Sequence, residues 1–183
     1  MATDEDSEDY FVREIEKNDG SVLRIYQCSR GDVGCVVWDA AIVLSKYLET
    51  EQFYSVQSRV STWRSKNIVE LGAGTGLVGL VAATLGANVT VTDLEDLQPL
   101  LQLNIKKNQH LIHTGSITAK VLKWGGNVKE FLPHSHYILM ADCIYYEQLL
   151  LQEFQSEMIP SEKQDPEFNS PDIHMLHLRR RVH

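Results

Sequence analysis

The run Val69-Glu70-Leu71-Gly72-Ala73-Gly74-Thr75-Gly76 limits what this chain can fold into more than any other stretch. An apolar segment too short for a helix leads into three glycines within five positions, and a helical run from Leu77 to Leu85 follows, closed by Gly86. Strand, glycine turn and helix in that order form the opening unit of a parallel α/β sheet. Small residues at the turn let a ligand approach the main chain, and the helix start offers N–H groups that have no partner within the helix. Asp93 ends the next strand, Val89 to Thr92, 21 residues after Gly72. At that spacing a carboxylate reaches the ribose hydroxyls of a bound nucleoside. Neither feature is specific alone, but together and in strand context they predict nucleoside binding over a purely structural turn.

The register of the glycines separates the candidate nucleosides. Gly74-Thr75-Gly76-Leu77-Val78-Gly79 satisfies the dinucleotide pattern G-x-G-x-x-G, but the glycine that follows the strand directly is Gly72, and from there the pattern ends in Leu77. Glu70 at the strand end is expected to face the ligand, where it would repel a pyrophosphate and suit a cationic sulfonium. The residues therefore favour S-adenosylmethionine over a dinucleotide.

Around this unit the elements alternate. Phe11 to Glu16 and Ser21 to Gln27 read as a hairpin turned by Lys17-Asn18-Asp19-Gly20. Val37, Ala40, Ala41, Leu44 and Leu48 lie at helical spacing within 36–48, and the polar residues 50–66 read as a surface loop. Leu94 to Asn108 is a further helix, and Ile117 to Leu122 and Tyr137 to Ala141 are further strands. The last is nearly all apolar, the signature of a central strand buried on both faces. The expected fold is α/β, a doubly wound Rossmann-like sheet with an N-terminal β-hairpin, in one domain over 10–183. Within it, 10–49 form the hairpin and helix, 66–145 the ligand-binding core and 146–183 a shortened C-terminal part, after an acidic, disordered tail at 1–9.

Composition narrows the partners. The formal charge is −8, and Asp4, Glu5, Asp6, Glu8 and Asp9 supply five of the acids, so the body is mildly acidic. Nucleic-acid binding needs clustered Lys and Arg, which points instead to a protein or small-molecule substrate. Arg179-Arg180-Arg181 reads as a solvated basic end without a role. Cys28, Cys35 and Cys143 form no CxxC pair, which fits a reducing compartment and argues against a metal site. An acid-rich start is unlike a secretory signal, and no apolar run approaches the roughly 20 residues that span a bilayer. The expected setting is cytoplasmic, with nuclear access open.

Tyr137 to Ala141 leads into Asp142-Cys143-Ile144-Tyr145, at the edge where open α/β sheets place ligands. Methyl transfer is an in-line attack on the methyl carbon, and an enzyme contributes chiefly by holding the two reactants together. A lysine acceptor must first lose a proton, since an ammonium has no lone pair and a reference pKa of about 10.4. Asp142 is the candidate to orient that amine and Tyr145 to hydrogen-bond it or pass on its proton. The alternatives are a helix cap for Asp142 and a packing role for Tyr145. Trp38 and Trp124 offer aromatic faces suited to adenine, although a single tryptophan is more often core. His134 and His136 read as solvated loop residues, and Cys143 as a buried small residue with no neighbouring histidine to activate it.

Cys35-Val36-Val37-Trp38-Asp39-Ala40-Ala41, Glu70 to Gly76, Asp93-Leu94, Trp124 and Asp142-Cys143-Ile144-Tyr145-Tyr146 together resemble the seven-strand protein-lysine methyltransferases of the methyltransferase-like class. Among them they are most similar to those acting on valosin-containing protein, an AAA-type, hexameric chaperone ATPase. The resemblance covers about residues 10–148 and resumes near Ile159. It implies that Trp38, Gly72, Ala73, Gly74, Asp93, Trp124 and Ala141 contact S-adenosylmethionine, and that Asp142 and Tyr145 line the acceptor channel. It also implies a cytoplasmic monomer acting on a non-histone protein, with no nucleic acid or membrane involved. No Asn-Pro-Pro-Tyr or Asp-Pro-Pro-Tyr run, which would resemble methylation of adenine or of a glutamine amide, is present.

The C-terminal part departs from that family. Ordinary element lengths ask for about 70 to 90 residues after the fourth strand of such a fold. Only 41 follow Asp142 here. Gln148 to Phe154 reads as a short helix, Pro160 to Pro171 as a loop, and Ile173 to Leu178 as the remaining strand. This pattern suggests an internal segment removed by splicing or by an error in the gene model. Two expectations follow: an active enzyme in which Ile173 to Leu178 moves in beside the fourth strand, or a shortened form that binds cofactor or partner without turnover.

Overall fold

The computed structural model describes residues 10–29, 31, 33–58, 60–131, 135–143 and 153–181. The acidic residues 1–9, Tyr145, His134 and most of the expected helix at 148–154 lie outside that set. Strands β1 (Tyr10–Glu16) and β2 (Val22–Cys28) form the antiparallel hairpin, paired from Tyr10↔Cys28 to Glu16↔Val22. Helix α1 (Asp39–Leu48) follows, with Trp38 in extended backbone at its N-cap.

The core is a four-stranded parallel sheet of β5 (Asn67–Leu71), β6 (Asn88–Asp93), β7 (Ser116–Val121) and β8 (Tyr137–Met140), in the order β7-β6-β5-β8. Helix α2 (Leu77–Thr84) connects β5 to β6, and α3 (Gln98–Asn108) connects β6 to β7 after a 3-10 turn at Glu95–Leu97. The glycine loop therefore leaves β5 beside β8, where the chain reverses its direction of travel across the sheet. Open α/β sheets hold ligands at such a switch point.

One face of this sheet is dry. Ile68, Val89, Val91, Ile117 and Leu139 join Leu77, Leu80, Val81 and Leu101 in a single buried cluster that also takes in Leu23, Ile25, Ile42 and Leu48. The other face carries Val69, Thr90, Thr118 and Ile138 side by side in register. Among the described residues Leu122 and Phe131 cover Val69 there, and a cavity of about 220 Å³ lies over Asn67, Asn88, Thr90 and Thr118. The described helices thus wind one side of the sheet, where alternation of elements predicts both sides. Nor is β8 the interior strand its composition suggests: among the described strands it is the sheet edge, with Tyr137 42% and Ile138 53% exposed. Its apolar residues have the makeup of a doubly covered strand, but no described element packs on its outer side.

The described C-terminal residues do not fill that edge. The expected strand at Ile173 to Leu178 is observed as β10 (Leu176–Arg180), because Ile173 is still held in a turn by its N–H bond to Ser170 O, 3.2 Å. It pairs antiparallel with β9 (Phe154–Met158), and the two form a separate sheet, so the expectation that this strand moves in beside the fourth is overturned. Phe154, expected at a helix end, is the first residue of β9.

Residues 50–66 are more than a surface loop. They hold the short strands β3 (Tyr54–Ser55) and β4 (Val60–Ser61) and the buried Trp63, whose indole N–H donates to Leu48 O at 2.9 Å. Trp63 meets Phe53 at a tilt and Tyr137 edge to face, with ring centroids 4.9 and 5.3 Å away, which ties the segment to the sheet.

Two asparagines mount the hairpin on α3. Asn104 and Asn108, both fully buried, present side-chain amides to β2 as an extra strand would. Tyr26 N–H donates to Asn104 Oδ1 (2.7 Å) and Asn104 Nδ2 to Tyr26 O (3.0 Å); Asn108 treats Arg24 the same way at 2.9 and 3.0 Å. Asn104 Nδ2 also reaches Thr75 O at 2.9 Å, so one side chain joins hairpin, helix and glycine loop. Among the described residues no helix is long and apolar enough to cross a membrane.

Candidate active site

The carboxyl ends of β5, β6, β7 and β8 meet at one rim. Gly72 and Gly74 both take left-handed backbone, with φ of 61° and 54°. That conformation is open to glycine and strained for most other residues. Ala73 N–H donates to Thr92 O at 3.0 Å, pinning the loop to β6. Asp93 faces the loop directly: Gly74 N–H donates to its Oδ2 at 2.8 Å and Leu94 N–H to its Oδ1 at 2.7 Å. The glycine bend and the downstream acid are thus neighbours, as their spacing predicts. Each carboxylate oxygen keeps a second lone pair, so Asp93 can accept ribose hydroxyls without giving up the loop.

Trp124 follows β7 and is 51% exposed; a Cβ placed on Gly72 would lie 3.8 Å from its Cζ2. Trp38 is 47% exposed and donates its indole N–H to Val33 O at 2.8 Å. Neither tryptophan is core, which is the more common fate of such residues; Trp124 stands beside Gly72, and Trp38 is bonded to Val33, next to Gly34. Half-buried Ala141 and exposed Asp142 follow β8 at the same rim. Asp142 has φ of 58°, a left-handed conformation uncommon in any residue but glycine and best tolerated by Asn and Asp. Such strain concentrates at functional positions.

Glu70 is placed differently from the sequence expectation. It is 2% exposed and points across the dry face into α2, where Gly79 N–H donates to its Oε2 at 2.8 Å. It serves the helix start, not the ligand. Burial, with the nearby Asp93 charge adding to it, pushes its carboxyl up to about 8. Glu70 therefore has no part in excluding a pyrophosphate, and the choice of nucleoside rests on the glycine register. Cys143 is half-buried beneath the loop, its Sγ 3.3 Å from Leu71 O and 3.2 Å from Ala141 O. Burial and then the charges of Glu70 and Asp93 push its thiol up to about 11, so it is protonated near neutrality and is no nucleophile. His136 is exposed and structural, its Nδ1 accepting Asn67 N–H at 3.0 Å. Two contributors were missed from the sequence: Gly34, whose carbonyl lies 2.9 Å from where a Gly74 Cβ would sit, and Asn104. The glycines of Gly31-Asp32-Val33-Gly34 were the available signal for the first. A 650 Å³ cavity between the end of α1 and residues 162–166 contains none of these groups.

The family model for lysine methyltransferases matches residues 17–161. The chain belongs to this family. Within it, the chain is 42% identical over 125 residues to protein N-lysine methyltransferase METTL21A of Xenopus tropicalis, covering 67% of this chain and 54% of that protein. It is similarly 42% identical over 118 residues to protein-lysine methyltransferase METTL21E of Bos taurus, covering 61% and 38%. EEF1A lysine methyltransferase 3 of Xenopus tropicalis is 33% identical over 141 residues, covering 74% and 58%. The chain spans about half the length of the curated lysine methyltransferases it matches first. Among solved structures, Pyrococcus horikoshii TYW2 in complex with MeSAdo aligns with 82% of this chain and 54% of its own, at 14% identity and a TM-score of 0.42.

Proposed function

We propose that this chain binds S-adenosylmethionine and methylates a lysine side chain of a protein, and that valosin-containing protein is the substrate to test first. The observation that carries the proposal is the 2.8 Å bond from Gly74 N–H to the Asp93 carboxylate at the switch point of a parallel sheet. The residues fit the cofactor: Gly72 and Gly74 bring bare left-handed main chain to the rim, Asp93 accepts ribose hydroxyls, and the half-exposed Trp38 and Trp124 supply aromatic surface for adenine. When bound, S-adenosylmethionine supplies an electrophilic methyl carbon on its sulfonium. On the acceptor side, the Asp142 carboxylate attracts and orients the incoming ammonium, which must shed a proton before it can attack. Tyr145 keeps its proposed place beside it from the resemblance alone. Support for the substrate comes from the Val37-Trp38-Asp39 and Asp142-x-x-Tyr145 motifs. The absence of disulfides among the three cysteines supports a cytoplasmic setting, with nuclear access open.

A second reading, binding without turnover, is favoured by the edge of β8 beside Asp142, which no described strand pairs with, because an acceptor channel needs a wall on both sides.

Calorimetric titration with S-adenosylmethionine tests the first step, and absence of heat from a folded sample would retire the cofactor. Methyl transfer to valosin-containing protein, with EEF1A as the comparison substrate, tests the second; heat without transfer to either supports the second reading. Asp93→Ala should weaken cofactor binding by about 1 to 3 kcal/mol, the worth of a hydrogen bond to a charged group. Unchanged affinity would move the ribose contact elsewhere. Asp142→Asn keeps the tolerance for left-handed backbone while removing the charge. It should leave cofactor affinity within about twofold and lower turnover roughly ten- to a hundredfold; equal turnover would end the orienting role of Asp142.

A further inference from the structure

The glycine loop is touched from outside the sheet by the 3-10 turn Val33–Cys35. Gly34 lies backbone against backbone on Gly74. A Cβ on Gly74 would sit 2.9 Å from Gly34 O and 3.5 Å from Gly34 Cα, and a Cβ on Gly34 would sit 3.5 Å from Gly74 Cα and 2.5 Å from Leu97 Cδ1. Leu97 cannot simply swing away, because it is 6% exposed and packed with Cys35 and Leu100 against Tyr10, Tyr26 and Cys28. The far end of the segment is fixed as well, by the bond from the Trp38 indole to Val33 O and by Val37 N–H donating to Gln27 Oε1 at 2.7 Å. Gly74 is thus held between the Asp93 carboxylate, which takes its N–H, and a turn roughly 40 residues earlier in the chain that presses on its Cα side.

We infer that Gly34 is a positioning residue for the cofactor: it sets how far the Gly74 main chain stands out from the sheet, and with it the geometry of the Gly74–Asp93 pair. The inference rests on the S-adenosylmethionine reading of the site, but its physical core, the bracing of Gly74, is measurable without any ligand. A methyl group at position 34 cannot share the space of Leu97, so the turn lifts and Gly74 loses its support. Trimming Leu97 makes room for the methyl group and lets the turn settle back.

The test uses the full chain labelled with ¹⁵N-glycine, as wild type, Gly34→Ala, Leu97→Ala and the double variant. Without ligand, exchange of the Gly74 amide should quicken about tenfold or more in Gly34→Ala, as expected when a local bond opens more often. The Gly86 amide, bonded to Ala83 O at the far end of α2, should not change. In the double variant Gly74 exchange should return to within about threefold of Leu97→Ala, the non-additivity expected of side chains in contact. Titrated S-adenosylmethionine should bind Gly34→Ala about tenfold more weakly and recover in the double variant. Equal Gly74 exchange in wild type and Gly34→Ala, equal acceleration at Gly86, or no recovery on trimming Leu97 would each overturn the bracing role. Should Gly34→Ala fail to fold, the double variant carries the test, with slow Gly74 exchange supporting the role and fast exchange overturning it. A wild type that binds no S-adenosylmethionine would retire the cofactor reading, while the exchange rates still decide the brace.

Discussion

Replacing Asn104 by leucine is expected to cost about 3 to 5 kcal/mol of folding stability, a large share of the roughly 5 to 15 kcal/mol that holds a domain together. Leucine matches the amide's branching and heavy-atom count, and overpacking by its bulkier methyl groups comes on top of the loss that follows. The loss comes from three main-chain groups that the amide satisfies at once: Tyr26 N–H, Tyr26 C=O and Thr75 C=O, at 2.7, 3.0 and 2.9 Å. Leucine leaves all three without a partner where water reaches poorly, and each such group costs about 1 to 3 kcal/mol. Urea unfolding monitored by circular dichroism measures the change. A drop below about 1 kcal/mol would mean that the hairpin finds other partners and that the amide does not clamp it.

The second large effect is a pH dependence assigned to Glu70. In the unfolded chain its carboxyl titrates at the ordinary value of 4.5, and in the folded protein burial lifts it to about 8. Between those values the native state keeps a proton that the unfolded state releases, so stability is full below about pH 4.5 and falls as pH rises to about 8, flattening beyond. The slope approaches 1.4 kcal/mol per pH unit, accumulating to about 3 to 5 kcal/mol. Glu70→Gln keeps an oxygen to accept Gly79 N–H and has nothing to titrate. The variant should be the more stable form above pH 8, its advantage shrinking steadily toward pH 4.5. Other ionisable groups contribute alike to both proteins, so the difference isolates this one. A difference that does not vary with pH would show that Glu70 is ionised in the native state.

These two residues also mark where sequence reasoning stops. The hairpin, the glycine loop and the placing of Asp93 beside Gly74 were legible because each leaves a local signature: alternation, a turn residue with positive φ, a fixed spacing along adjacent strands. Its charge and its place at the strand end point Glu70 toward the ligand, yet it alternates with Val69 and shares a face with Ile68, which sends it into α2. That much was available from the pattern and was outweighed by charge. Asn104 and Asn108 carry no such signature. An asparagine on a helix ordinarily reads as surface, and only the i, i+4 spacing on the side that carries Leu100 and Leu101 hints that both face inward. Trp63 was hidden by polar neighbours, since residues 50–66 are anchored by one side chain and not by a periodic face. The apolar run Tyr137 to Ala141 misled in the opposite sense, because composition reports what a strand is suited to touch and not whether the partner is there.

The outer side of β8, which no described strand pairs with, also affects how the protein behaves in bulk. Its outer row of main-chain donors and acceptors, flanked by Tyr137 and Ile138, is a surface on which extended peptide can crystallise, and parallel edges left bare are the usual seeds of coagulation. Mutual repulsion between molecules that each carry a formal charge of −8 opposes this. Salt weakens that repulsion and leaves the edge untouched, so dilute, low-salt buffers are the conditions in which this protein keeps best.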